Sequence, residues 1–71
     1  TNISYNLAQD SPVRLEVFNI QGRKVATLVD AEQAAGRHTI TWDASGFSSG
    51  LYFCKLSSGD FTETKRVMLV K

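Results

Sequence analysis

The 71-residue sequence contains one cysteine, one proline, one histidine, one tryptophan and one methionine. A lone Cys54 excludes an intrachain disulfide and a cysteine-based zinc site, the staples that small secreted domains usually need. His38 has no second metal ligand at a recognised spacing, so a place on a strand surface or edge is expected for it. Neither a histidine nor a helix terminus stands near Cys54 in the sequence to lower its pKa, and it reads as a small buried hydrophobe. Charge of one sign is scarce as well. Eight Lys and Arg against seven Asp and Glu leave a formal charge of +1, with no surplus of cations to neutralise nucleic-acid phosphates. No apolar run approaches the roughly 20 residues of a membrane helix, and no signal peptide opens the chain. Internal repeats, low-complexity segments and cofactor motifs are absent too, so no cofactor and no metal are expected.

What is present is the composition of an ordered chain, 42% hydrophobic and 21% charged, in a length that buries only about 60% of its unfolded surface. Modest stability follows. The chain starts at Thr1 and its only methionine is Met68, so it is expected to be one domain of a longer polypeptide that supports it.

Apolar and polar residues alternate with a period of two along nearly the whole chain, the mark of half-buried strands. Ile3, Tyr5 and Leu7 point one way, with Ser4 and Asn6 the other. Val13, Leu15 and Val17 repeat the scheme with Arg14 and Glu16 outward, after Pro12, which can open a strand but not sit inside a central one. Asn19 starts a type I turn and Gly22 suits the left-handed position of a G1 bulge, which predicts a hairpin. The returning strand covers about 24–29. Residues 30–36 have the only helix-favouring composition, too short for an independent helix, and read as a loop with room for one helical turn. His38, Ile40 and Trp42 alternate with Arg37, Thr39 and Thr41 in a strand that stops at Asp43. Residues 51–56 are apolar on both faces, as in a central strand under a loop or second layer; 57–60 is a turn cluster, and 61–70 the last strand. Six or seven short strands make this an all-β chain, a small antiparallel β-sandwich.

Residues 46–50, Gly-Phe-Ser-Ser-Gly, match the G-x-S-x-G nucleophile elbow. That elbow needs a helix after the serine and a histidine later in the chain. Here a strand follows Ser48, and His38 precedes it. A turn accounts for every residue: Asp43 caps it, Ser45, Ser48 and Ser49 bond local backbone, Gly46 and Gly50 take positive φ, and Phe47 plugs the sandwich edge. No catalytic residue is assigned and the chain is not read as an enzyme. The acidic residues, Asp43 and Asp60 among them, are explained as turn or solvent-face groups rather than a glycosidase pair. Trp42, Tyr5, Tyr52 and the four phenylalanines raise a carbohydrate-binding reading, since exposed rings stack on sugars, but most are expected in the core.

Three stretches in order, PVRLEVFNIQGRKVATLV (12–29), AAGRHTITWDASGFSSGLYFCKL (34–56) and FTETKRVMLVK (61–71), resemble the type A C-terminal sorting domain of the type IX secretion system, found on secreted proteins of Bacteroidetes-like bacteria. The Gly-Arg hairpin, the 36–42 strand with Asp43, the Ser49-Gly50-Leu51-Tyr52 start of a strand and the Lys-rich final strand carry the resemblance. It implies an immunoglobulin-like sandwich at the end of a cargo protein, recognised by the outer-membrane translocon, in some members cut by a sorting peptidase, and sent by way of the periplasm to the cell surface or outside. The matching segments place recognition on Gly22, Arg23, Gly36, Gly50, Tyr52, Lys65, Arg66, Val67, Met68, Leu69, Val70 and Lys71. Asn19 departs from the aspartate common at that turn in the family. The same Gly-Arg hairpin and Trp-Asp to Gly-Leu-Tyr layout is similar to the immunoglobulin-like domain of the flagellar hook-cap family, so the alternative is a structural or carbohydrate-binding accessory module.

Overall fold

A computed structural model describes residues 2–70. Six strands run in the order β1 (Asn2–Leu7), β2 (Ser11–Phe18), β3 (Lys24–Gln33), β4 (Gly36–Thr41), β5 (Gly50–Ser58) and β6 (Phe61–Leu69). β1 and β4 form a two-stranded sheet, and the other four form a sheet in the order β3-β2-β5-β6. Every pairing is antiparallel. The result is a small β-sandwich, and no helix occurs among the described residues.

Alternation explains the two layers. Ile3, Tyr5 and Leu7 of β1 are buried, as are Val13, Leu15 and Val17 of β2 and Tyr52, Cys54 and Leu56 of β5. In register, Leu15 stands beside Leu56 and Val17 beside Cys54 at the middle of the larger sheet. Removing such aliphatic side chains from water contributes roughly 1.5–3 kcal/mol each. The far face of the small sheet is polar: Thr41 donates to Asn2 Oδ1 at 3.0 Å and the Ser4 and Thr39 hydroxyls meet at 3.2 Å.

The predicted hairpin after β2 is present. Gly22 N–H donates to the Asn19 carbonyl and Asn19 N–H to the Arg23 carbonyl, each at 2.9 Å. Gly22 sits at φ 81°. The second hairpin is tighter than the predicted 57–60 cluster, because Ser57 and Ser58 still pair with Thr62 and Phe61. Only Gly59, at φ 59°, and Asp60 form the turn. Pro12 lies where β2 has β3 beside it but β5 not yet, since β5 pairs with Arg14 to Phe18.

Residues 30–33 correct the expected loop. They extend β3, with Asp30 opposite Arg14, Ala31 opposite Val13, Glu32 opposite Pro12 and Gln33 opposite Ser11. Helix nucleation is costly in so short a segment, whereas the free edge of β2 offers ready backbone partners, so pairing overrides local propensity. Only Ala34 and Ala35 then link β3 to β4. Ala35 N–H donates to Asp10 Oδ1 at 2.7 Å and Gly36 turns the chain at φ 121°.

The aromatic expectation holds in part. Trp42, Tyr5 and Tyr52 are buried at 3%, 5% and 8% exposure, and Phe47 packs on Trp42 and Tyr52 with ring centroids 5.2 and 6.2 Å away. Phe18 and Phe53, however, are half-buried neighbours on the face of the larger sheet away from β1 and β4, and Phe61 is 53% exposed. Each stands at a strand position whose parity turns it away from the filled core or at the sheet's rim.

Candidate functional site

The loop that carries G-x-S-x-G is a turn between two strands. Phe47 N–H donates to the Ala44 carbonyl at 3.0 Å, and Ser45 N–H to Asp43 Oδ1 at 3.1 Å. Gly46 does not adopt the positive φ expected of it, whereas Gly50 does, at φ 145°; as third residue of a closed four-residue turn, Gly46 fits a right-handed type I geometry. The exposed Ser48 offers its carbonyl to Tyr52 Oη at 2.8 Å. His38 is engaged elsewhere: its Nε2 donates to the Ala34 carbonyl at 2.7 Å and its ring stacks on Tyr5 at 5.4 Å. No nucleophile and base meet here.

Cys54 is 2% exposed, and burial pushes its thiol pKa up, the reverse of an activated nucleophile. Burial likewise raises the Tyr5 phenol, more than its hydrogen bond to Gln33 Oε1 lowers it. Among the described residues no three His, Cys, Asp or Glu side chains are grouped to hold a metal ion. The burial of Tyr5, Trp42 and Tyr52 also removes the row of exposed rings on which a sugar-binding reading depended.

The positions marked by the resemblance divide by their place in the sheets. Gly22 and Arg23 form the turn after Phe18, which pairs with Phe53 near the start of β5. Gly50 opens β5 and pairs with Leu69 at the end of β6. The Gly-Arg hairpin, the Gly50 and Tyr52 segment and residues 67–70 therefore share one end of the four-stranded sheet. Gly36 does not join them. It pairs with Leu7, beside the Asp10 contact, at the opposite end. Lys65 and Arg66 lie along β6 between the ends, opposite Cys54 and Phe53. Lys71 is outside the described residues.

Side-chain direction separates these positions further. Asn19 Oδ1 accepts N–H bonds from Gln21 and Arg23, both at 3.0 Å, and fixes the turn while the Arg23 side chain stays exposed. Tyr52 and Leu69 face inward, 8% and 4% exposed, and Val67 packs against the core. Met68 and Val70 are 62% and 86% exposed. Thus Arg23, Arg66, Met68 and Val70 present side chains to solvent, whereas Tyr52, Val67 and Leu69 hold the strands that carry them. Lys65 Nζ lies 3.7 Å from Glu63 Oε1, a surface pair of small energetic consequence.

Some neighbours of this end were missed from sequence. Leu51 pairs with Met68, Phe53 stands between Phe18 and Arg66, and Ile20 is 71% exposed in the hairpin. Together they make an apolar strip beside Arg66. Apolar residues on both faces of 51–56 were its signal, but only the pairing register joins that face to Phe18 and Met68.

No curated protein and no solved structure matches the chain. The family model of the secretion system C-terminal sorting domain matches residues 1–71. The chain belongs to that family, the C-terminal signals that mark proteins for type IX export to the cell surface or the extracellular space.

Proposed function

We propose that residues 1–71 are a single, non-catalytic C-terminal module joined to an upstream cargo, and that the outer-membrane translocon reads the end of the larger sheet holding the Gly22-Arg23 hairpin and the close of β6. Co-location of Arg23, Arg66, Met68 and Val70 around one apolar strip supports this reading most directly. Gly22, Gly50 and Tyr52 shape that end, with Val67 and Leu69 anchoring its last strand; Gly36 positions the link between sheets at the other end. Lys65 and Lys71 supply charge along the final segment. A sorting peptidase acting after export is the second partner. The likeness to the hook-cap domain rests on the shared Gly-Arg and Trp-Asp to Gly-Leu-Tyr layout and concerns architecture alone.

Removing 65–71 outright would uncover the core that Leu69 closes, so outward substitutions provide the cleaner test. A periplasm-targeted reporter fused ahead of residues 1–71 is expected outside the cells of a host with this system. Arg23→Ala combined with Met68→Ser should leave it in the periplasm while the domain's melting temperature is preserved; Ser48→Ala should export normally. Undiminished export of the Arg23/Met68 variant would refute the assignment.

A further inference from the structure

Edge strands expose backbone N–H and C=O groups that can template pairing, and proteins blunt them with shortness, bulges or inward-pointing charges. The described edges differ in how they are protected. β1 and β4 have six residues each. β3 is broken by register shifts at Leu15/Glu16 and at Val17/Phe18 of its partner β2. β6 has nine residues, no register shift, and among the described residues pairs only with β5. Its protection is a charge device. Glu63 and Lys65 stand opposite Leu56 and Cys54, so both project toward the inner face, yet their side chains remain 44% and 53% exposed.

Those charges disfavour several self-pairings and favour one. Free groups on an antiparallel edge recur at every second residue, so two copies of β6 pair only in registers that match residues of the same parity. Centring the pair on Glu63, Lys65 or Arg66 sets like charges face to face. Centring it on Thr64 sets Glu63 opposite Lys65 of the second copy, Lys65 opposite its Glu63, Phe61 opposite its Val67 and Thr62 opposite its Arg66. The 53% exposed Phe61 then gains an apolar neighbour, and each carboxylate an ammonium.

We propose that β6 is a homodimerisation edge, in which two chains pair antiparallel about Thr64 and join their four-stranded sheets into one continuous sheet. The arrangement is isologous and closes on itself. It does not rest on the sorting assignment; the paired span, 61–67, takes in Lys65, Arg66 and Val67 and leaves Arg23, Met68 and Val70 outside it.

Sedimentation equilibrium of the 71-residue chain, from about 10 µM to about 1 mM, tests this within the range of a weak interface. The chain should show a reversible monomer–dimer equilibrium. Glu63→Lys and Lys65→Glu, each folded by circular dichroism, should weaken it by about tenfold or more, because each sets two like-charge pairs across the axis. An equimolar mixture of the two variants should associate again, since every facing pair is then opposite in sign, and the double swap in one chain should dimerise like the parent. A parent that stays monomeric throughout, single variants that associate as well as it does, or a mixture no better than either variant alone would overturn the proposal.

Discussion

Gly22→Ala isolates the cost of one backbone angle. Gly22 adopts φ 81°, and a Cβ built there meets nothing within 4 Å, so no clash contributes. A non-glycine residue in the left-handed region costs roughly 1–2 kcal/mol, offset in part by the smaller conformational freedom of alanine in the unfolded chain, about 0.4–1 kcal/mol. A net loss of about 1 kcal/mol is expected. Against a total stability of about 4–11 kcal/mol for this length, the variant stays folded at room temperature but melts about 4–8 °C lower. Gly46→Ala is the internal control: that position also meets nothing within 4 Å but lacks a positive φ, so its change should be neutral or slightly stabilising. Asparagine tolerates the left-handed region better, and Gly22→Asn should lose less than Gly22→Ala. Urea titrations followed by circular dichroism, with equal m-values, supply the numbers. Equal stability of Gly22→Ala and Gly46→Ala, or a larger loss for asparagine than for alanine, would refute the assignment of strain to this turn.

Two further outcomes follow from local chemistry. Asn19→Ala removes the acceptor of two backbone N–H bonds at 3.0 Å and should cost about 1–2 kcal/mol; Asn19→Asp keeps that acceptor and should cost less than half as much, measured by thermal unfolding. Cys54 has a folded thiol pKa above its ordinary value of 9.0 because of burial. The unfolded chain therefore loses its proton first as pH rises, so the stability linked to this group is intact below pH 9.0 and falls above it. Cys54→Ala should flatten that part of the stability–pH curve in urea titrations, and an unchanged slope would contradict the linkage.

Much of the architecture was legible because a strand with one buried face writes its burial directly as alternation. Ile3, Tyr5 and Leu7, and Val13, Leu15 and Val17, are instances, and the Asn19 to Arg23 turn was readable because Asn and Gly are the residues its angles and side-chain acceptor require. The strand at 30–33 was not legible. Asp30, Ala31, Glu32 and Gln33 have no alternation of their own, and they are extended because β2 runs beside them. Sequence also left open which exposed positions belong together. Arg23 is far along the chain from Met68 and Val70, and Phe18 and Phe53 read as core residues, until the β2–β5 and β5–β6 registers brought them to one end of one sheet. The sequence by itself determined most of the strands, the main hairpin and, through the ordered motifs, the sorting-domain family. The tertiary structure alone decided that Gly36 lies at the other end from Gly22, that Tyr52 and Leu69 face the core, and that β6 is a regular edge strand paired, among the described residues, only with β5, because each depends on hydrogen-bond register between segments distant in sequence.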